Sequence, residues 1–145
     1  MLSKNENMGP LSLIVFSGNF DKVHYALTIS AASSALSIPT TLLFTMEAIQ
    51  ALKGTGENAG WRKLLGKDGA TGQERDKHLV ENGLAGFEEL LAATNELGVE
   101  VMVCEMGLKS ENIDISELRS DIIYRSGGLI TFFQESKTNS QLLFL

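Results

Sequence analysis

Short, almost wholly apolar runs alternate with segments of helical spacing along the chain, and this alternation restricts the possible folds more than any other feature. Leu11-Ser-Leu-Ile-Val-Phe16, Thr40-Thr-Leu-Leu-Phe44, Val99-Glu-Val-Met-Val-Cys104 and Leu142-Leu-Phe-Leu145 are each four to six residues long. Runs this short and apolar suit strands covered on both faces, the condition met in parallel sheets. Between the first two runs, Val23, Ala26, Leu27, Ser30, Ala31 and Ser34 recur at helical spacing, with Asp21 placed to cap the helix and Ile38-Pro39 to close it. A strand, a crossover helix and a second strand in that order require a parallel pairing.

The second run leads into a short helix through Leu52 that Thr45 can cap. Further on, Phe87, Leu90, Leu91, Thr94 and Leu97 share a helical face, and Gly98 ends that helix. Asp114 to Ser120 reads as a helix with Ile115 and Leu118 inward, Ile122–Tyr124 as a short fourth strand, and Gly128 to Glu135 as a helix with Leu129, Phe132 and Phe133 inward. The pattern gives an α/β domain spanning residues 11–145.

Residues 53–80 interrupt the alternation. They hold six of the 14 glycines and ten charged residues, with Trp61, Leu64, Leu65 and Leu79 as the apolar anchors. Too short for a second domain, the segment reads as an insert, with Trp61 pinning it to the body or to a neighbouring subunit. Met1 to Pro10 reads as a polar N-terminal tail, within which Met8 is a second plausible start.

Charge and cysteine count narrow the function. Twelve basic against 18 acidic residues leave a net charge of −6, which disfavours a nucleic-acid partner. One cysteine excludes an internal disulfide and any multi-cysteine zinc site; no metal and no cofactor is indicated. The sequence has no run long enough to span a membrane and no export signal, and an unpaired thiol fits a reducing cytoplasm.

Cys104 is the most informative residue. It ends the third apolar run, and catalytic groups in open α/β sheets gather beyond the carboxyl ends of strands. Free cysteine is also among the most buried residue types, so plain packing is the competing reading. A reactive thiol must ionise. A carboxylate at Glu105, ~5 Å away at an effective dielectric near 20, opposes that by roughly 3 kcal/mol, so Glu105 should point away or be well solvated. The turn Ser17-Gly18-Asn19-Phe20-Asp21 is either a plain strand-to-helix turn or the rim of a site. His24 follows in the first turn of the helix, as a general acid or base or as a half-buried structural histidine. Met46 and Met106 stand at strand ends, where they would line a pocket or fill gaps.

The stretch Gly98-Val-Glu-Val-Met-Val-Cys-Glu-Met-Gly107 resembles the strand and cysteine-containing turn of the DsrE/DsrF-like sulfur-relay family. The Phe87-Glu-Glu-Leu-Leu91 helix, the first strand with its glycine turn, and Gly127-Gly128-Leu-Ile-Thr-Phe132 are similar in order and spacing. The resemblance implies a three-layer α/β/α domain with a five-stranded, mostly parallel sheet in the order 4-3-2-1-5. It implies a homo-oligomer, trimer or hexamer, and sulfur carried as a persulfide on Cys104 between donor and acceptor proteins, a sulfurtransferase-like role. The expected site joins Cys104 to Gly18, Asn19, His24, Met46, Glu105 and Met106, with a partly reachable thiol beneath the insert. The alternatives are a non-catalytic small-molecule or nucleotide-binding module and an oligomeric scaffold.

Overall fold

The computed structural model describes residues 8–145; most of the expected tail, residues 1–10, lies outside the described residues. Five parallel strands form one sheet: β1 (Leu11–Val15), β2 (Thr40–Phe44), β3 (Glu100–Cys104), β4 (Arg125–Gly127) and β5 (Gln141–Phe144). Their spatial order is β4-β3-β2-β1-β5, as the resemblance implies. The register sets Leu13 beside Leu42 and Leu143, and Leu43 beside Met102.

The alternation of side chains across the strands produces two unequal layers. Leu11, Leu13, Val15, Leu42, Phe44, Val101 and Val103 face the larger core, with helices α1 (Phe20–Ala35) and α3 (Phe87–Glu96). Ile14, Leu43, Met102 and Cys104 face the other way and are covered by Phe132 of α5 (Leu129–Glu135). That second layer contains one helix of seven residues.

Helix α1 begins where Asn19, not Asp21, caps it: the Asn19 side chain accepts from the Lys22 amide at 3.2 Å. Phe20, Val23, Ala26, Leu27 and Ser30 then form its buried stripe. Asp21 is spent elsewhere. Its carboxylate accepts from the Arg75 guanidinium and from the Lys67 amide, tying the insert to α1.

The insert is more ordered than its composition predicts. Residues 46–52, 56–58, 60–63 and 67–69 form 3₁₀ turns, and α2 (Gly72–Glu81) follows. The segment Met46–Leu52 is thus a 3₁₀ helix, and the Thr45 side chain makes no cap. Helix α2 is held at its start by a reciprocal capping box between Thr71 and Glu74. Gly72 has to be glycine because a Cβ there would run into the Trp61 carbonyl. Trp61 is fully buried, stacked on Phe87 at 4.9 Å and donating from Nε1 to Glu88 at 2.6 Å, so it pins the insert to the body. Leu65 is exposed instead.

Other boundaries move for physical reasons. A helix, α4 (Glu105–Ser110), starts directly from β3, while residues 114–120 contain only a 3₁₀ turn capped by Asp114, with Ile115 exposed and Leu118 buried. The fourth strand forms at Arg125–Gly127, three residues beyond Ile122–Tyr124; Ile122 is buried in the core as a loop residue. On α5 only Phe132 turns inward, and Leu129 and Phe133 are exposed, as is Leu97 at the end of α3.

Candidate functional site

The carboxyl ends of β1 and β5 flank the point where the chain reverses its path through the sheet. From β1 the connections run to β2, β3 and β4 in turn; the last crosses back by way of α5 to place β5 on the far side of β1. Such a topological switch point is where open α/β sheets accept ligands. A cleft of about 730 Å³ lies there, within the range of small-molecule sites.

The lining combines apolar walls with groups of both charges. Phe16 and Phe144 stand side by side with ring centroids 5.4 Å apart, and Met46 adds a third apolar surface. Ser17, Gly18 and Asn19 form the turn into α1, and Asn19 N donates to Ser17 Oγ at 3.0 Å, fixing that turn. Lys22 supplies a cation beside the start of α1. Glu47, Ser110 and Glu111 line the facing wall, and Gln50 Nε2 holds Glu111 at 3.0 Å. Gly18 is where the two walls approach: a Cβ on it would sit 2.7 Å from both Cβ and Oε2 of Glu47. Met46 takes a left-handed backbone, φ 49°, at the turn that brings Glu47 over Gly18.

Of the residues expected to form one site, Gly18, Asn19 and Met46 come together in this cleft. His24 does not. It points from the opposite side of α1, buried, with Nε2 at 2.9 Å from the Ala85 carbonyl and its ring near Phe20: a satisfied structural histidine. Glu105 and Met106 lie exposed on α4.

Cys104 ends β3 and is the N-cap residue of α4. The expectation of a partly reachable thiol under the insert is not met. The residue is 2% exposed and packs with Ile14, Leu43, Met102 and Phe132, on the face of the sheet opposite the insert. β2 separates it from the Gly18 turn, since the two strands that deliver them are not adjacent. Glu105, the residue after the cysteine, is exposed to solvent. Among the described residues, no group of three His, Cys, Asp or Glu side chains converges to hold a metal ion.

The residues missed by sequence reasoning are Phe16, Glu47, Ser110, Glu111, Phe144 and Leu145. Only the strand order brings them together, and no local motif signals them.

The sheet order and the layers define a DsrE/DsrF-like α/β fold, with a cleft at the switch point. Among solved structures it matches the YchN protein of E. coli, which has this fold, with a TM-score of 0.56 and 16% identity over 95% of this chain and 100% of that one. No protein-family model and no curated protein matches the sequence. No helix of the described residues is long and apolar enough to cross a membrane.

Proposed function

We propose that this protein is a binding module for a small dipolar molecule with one apolar face, held in the switch-point cleft. The observation that carries this reading is the position of the cleft, where α/β sheets accept ligands. Phe16, Met46 and Phe144 would cover the apolar part of the ligand. Lys22 and the start of α1 would take a negative group, and Glu47 and Glu111 a positive one. Calorimetric titration with three probes tests it: tryptophan, which carries both charges, tryptamine and indole-3-acetate. Tryptophan should bind most tightly and lose its binding in Gly18→Val, which fills the waist of the cleft. Equal affinities, or binding unchanged by that substitution, would reject the reading.

A second reading, a sulfur carrier acting between donor and acceptor proteins in a reducing cytoplasm, is favoured by one observation. Cys104 closes β3, an interior strand, at the end from which the strand-to-helix connections leave, and the following Glu105 is exposed to solvent. In that reading Phe132 must move aside. The Cys104 thiolate then attacks the outer sulfur of a donor persulfide, the donor thiolate leaves, and a Cys104 persulfide results with no net oxidation. Intact mass after incubation with a persulfide donor, wild type beside Cys104→Ser, tests it. A gain of one sulfur atom confined to the wild type supports the carrier, and an unchanged mass rejects it.

A further inference from the structure

One row of side chains on the α5 face of the sheet is polar where the fold calls for apolar ones. The register sets Ser12 of β1 beside Thr41 of β2, and Thr41 beside Glu100 of β3. The next row on that face, toward the carboxyl ends, is Ile14, Leu43 and Met102, and Ile14, Leu43 and Met102 pack with Phe132. Interior strands of a parallel sheet are normally apolar on both faces, and β1 and β2 are both interior. Two adjacent hydroxyls there need a reason.

Internal hydrogen bonding does not supply it. On the opposite face the buried hydroxyls of Ser30, Ser33 and Thr40 are all bonded within the fold. Ser12 is only 6% exposed, yet neither its hydroxyl nor that of Thr41 bonds to another of the described residues. No fully enclosed side-chain oxygen among those residues lacks a partner, so both hydroxyls keep an opening. A cavity of about 490 Å³ at the amino ends of the strands is lined by both.

The rest of the lining defines what would fit. Ser136 Oγ donates to the Phe132 carbonyl at 3.1 Å and Ser140 Oγ to the Lys137 carbonyl at 2.6 Å, so toward the cavity each offers lone pairs only. The charged groups balance, Arg125 and Lys137 against Glu100 and Glu135. Arg125 is already committed to Glu135 at 2.5 Å and to Glu100 at 3.4 Å. An anion would meet carboxylates and serine lone pairs, and a cation would meet Arg125 and Lys137. A neutral molecule with several hydroxyls can donate to these acceptors and accept from Ser12, Thr41 and Lys137. Met102 and Phe132 give its C–H face an apolar wall.

We propose that this cavity is a second binding site, for an uncharged polyhydroxylated molecule of monosaccharide size, with the Ser12 and Thr41 hydroxyls on its sheet side. The volume lies in the range of small-molecule sites, roughly 300–1,000 Å³. The site is independent of the switch-point cleft, which lies at the opposite ends of the strands.

The test is amide chemical-shift mapping on the full chain with glucose and myo-inositol, beside glucuronate and glucosamine as charged counterparts. A neutral probe should shift Ser12, Thr41, Gly98 and Ser140, leave Gly18 and Asn19 unmoved, and bind more tightly than either charged counterpart. Ser12→Ala and Thr41→Val should each weaken that binding about tenfold, the loss of roughly one hydrogen bond. Their urea midpoints should equal or exceed that of the wild type, because each removes a hydroxyl that the fold leaves without a partner. No shifts from either neutral probe at tens of millimolar, shifts confined to Gly18 and Asn19, tighter binding of a charged counterpart, or binding unchanged in both variants would overturn the proposal. A lowered midpoint in both variants would do so as well, since it would mark the hydroxyls as parts of the fold.

Discussion

Phe132 and Cys104 lie in the same buried cluster, each 2% exposed, on the sheet face that α5 covers. Phe132 is the member of that cluster carried by a helix, so the thiol should become reachable when α5 opens. In the folded protein a small alkylating reagent should label Cys104 only as fast as α5 opens. Phe132→Ala should speed labelling about 100-fold while the protein stays folded, a change that intact-mass time courses would follow. Fast labelling of the wild type would contradict the packing described here.

The same cluster sets the cost of changing the cysteine. A swap to serine would be nearly neutral at an exposed site, but here it places a hydroxyl among Ile14, Leu43, Met102 and Phe132. Cys104→Ser should lower stability by about 1–3 kcal/mol, and Cys104→Ala by less. Urea unfolding of the three proteins measures the order.

A buried guanidinium ties the insert to the loop after α4. Arg119, 4% exposed, makes two hydrogen bonds to Glu88 and two to Asp121, and Trp61 donates to the same Glu88 carboxylate. Hydrogen bonds from Arg119 hold Glu88 below its ordinary value of 4.5 and Asp121 below 3.8. A lowered folded-state value means that these carboxylates stabilise the fold fully above those ordinary values and lose that contribution as pH falls below them. Glu88→Gln should therefore cost about 1–2 kcal/mol near neutrality, mostly through the hydrogen bonds to a buried cation, since Glu88 itself is partly exposed. Its stability should also fall less steeply than that of the wild type below pH 4.5. Thermal melts across the acid range check both.

Helix α2 has few apolar anchors and depends on its ends. Removing the reciprocal cap with Thr71→Ala should cost about 1 kcal/mol and raise hydrogen exchange in α2 more than in α1 or α3.

Much of this architecture was legible in the residues. β2 matches its run residue for residue, and α1 and α3 follow their apolar spacing, because a strand or helix buried along its length must carry that pattern. Helix α2 was not legible from periodicity, as its sequence is almost wholly polar; the Thr71-x-x-Glu74 box was the signal present. Helix α4 was hidden because β3 runs straight into it, with Cys104 serving both elements. At β4, Ile122 had the composition of a strand, yet the apolar core claimed it and Arg125-Ser-Gly127 took the pairing. The Gly18 turn was visible as a candidate, whereas its partners Glu47, Glu111 and Phe144 come from three other segments that only the strand order assembles.

The cleft at the switch point is the central claim, and amide chemical-shift mapping during titration with tryptophan tests it most directly. The account predicts that the shifts concentrate at Ser17, Gly18, Asn19, Glu47, Ser110 and Glu111 and vanish in Gly18→Val. Shifts that gather instead around Cys104 and Gly127, or none with any of the three indole probes at millimolar concentration, would contradict it.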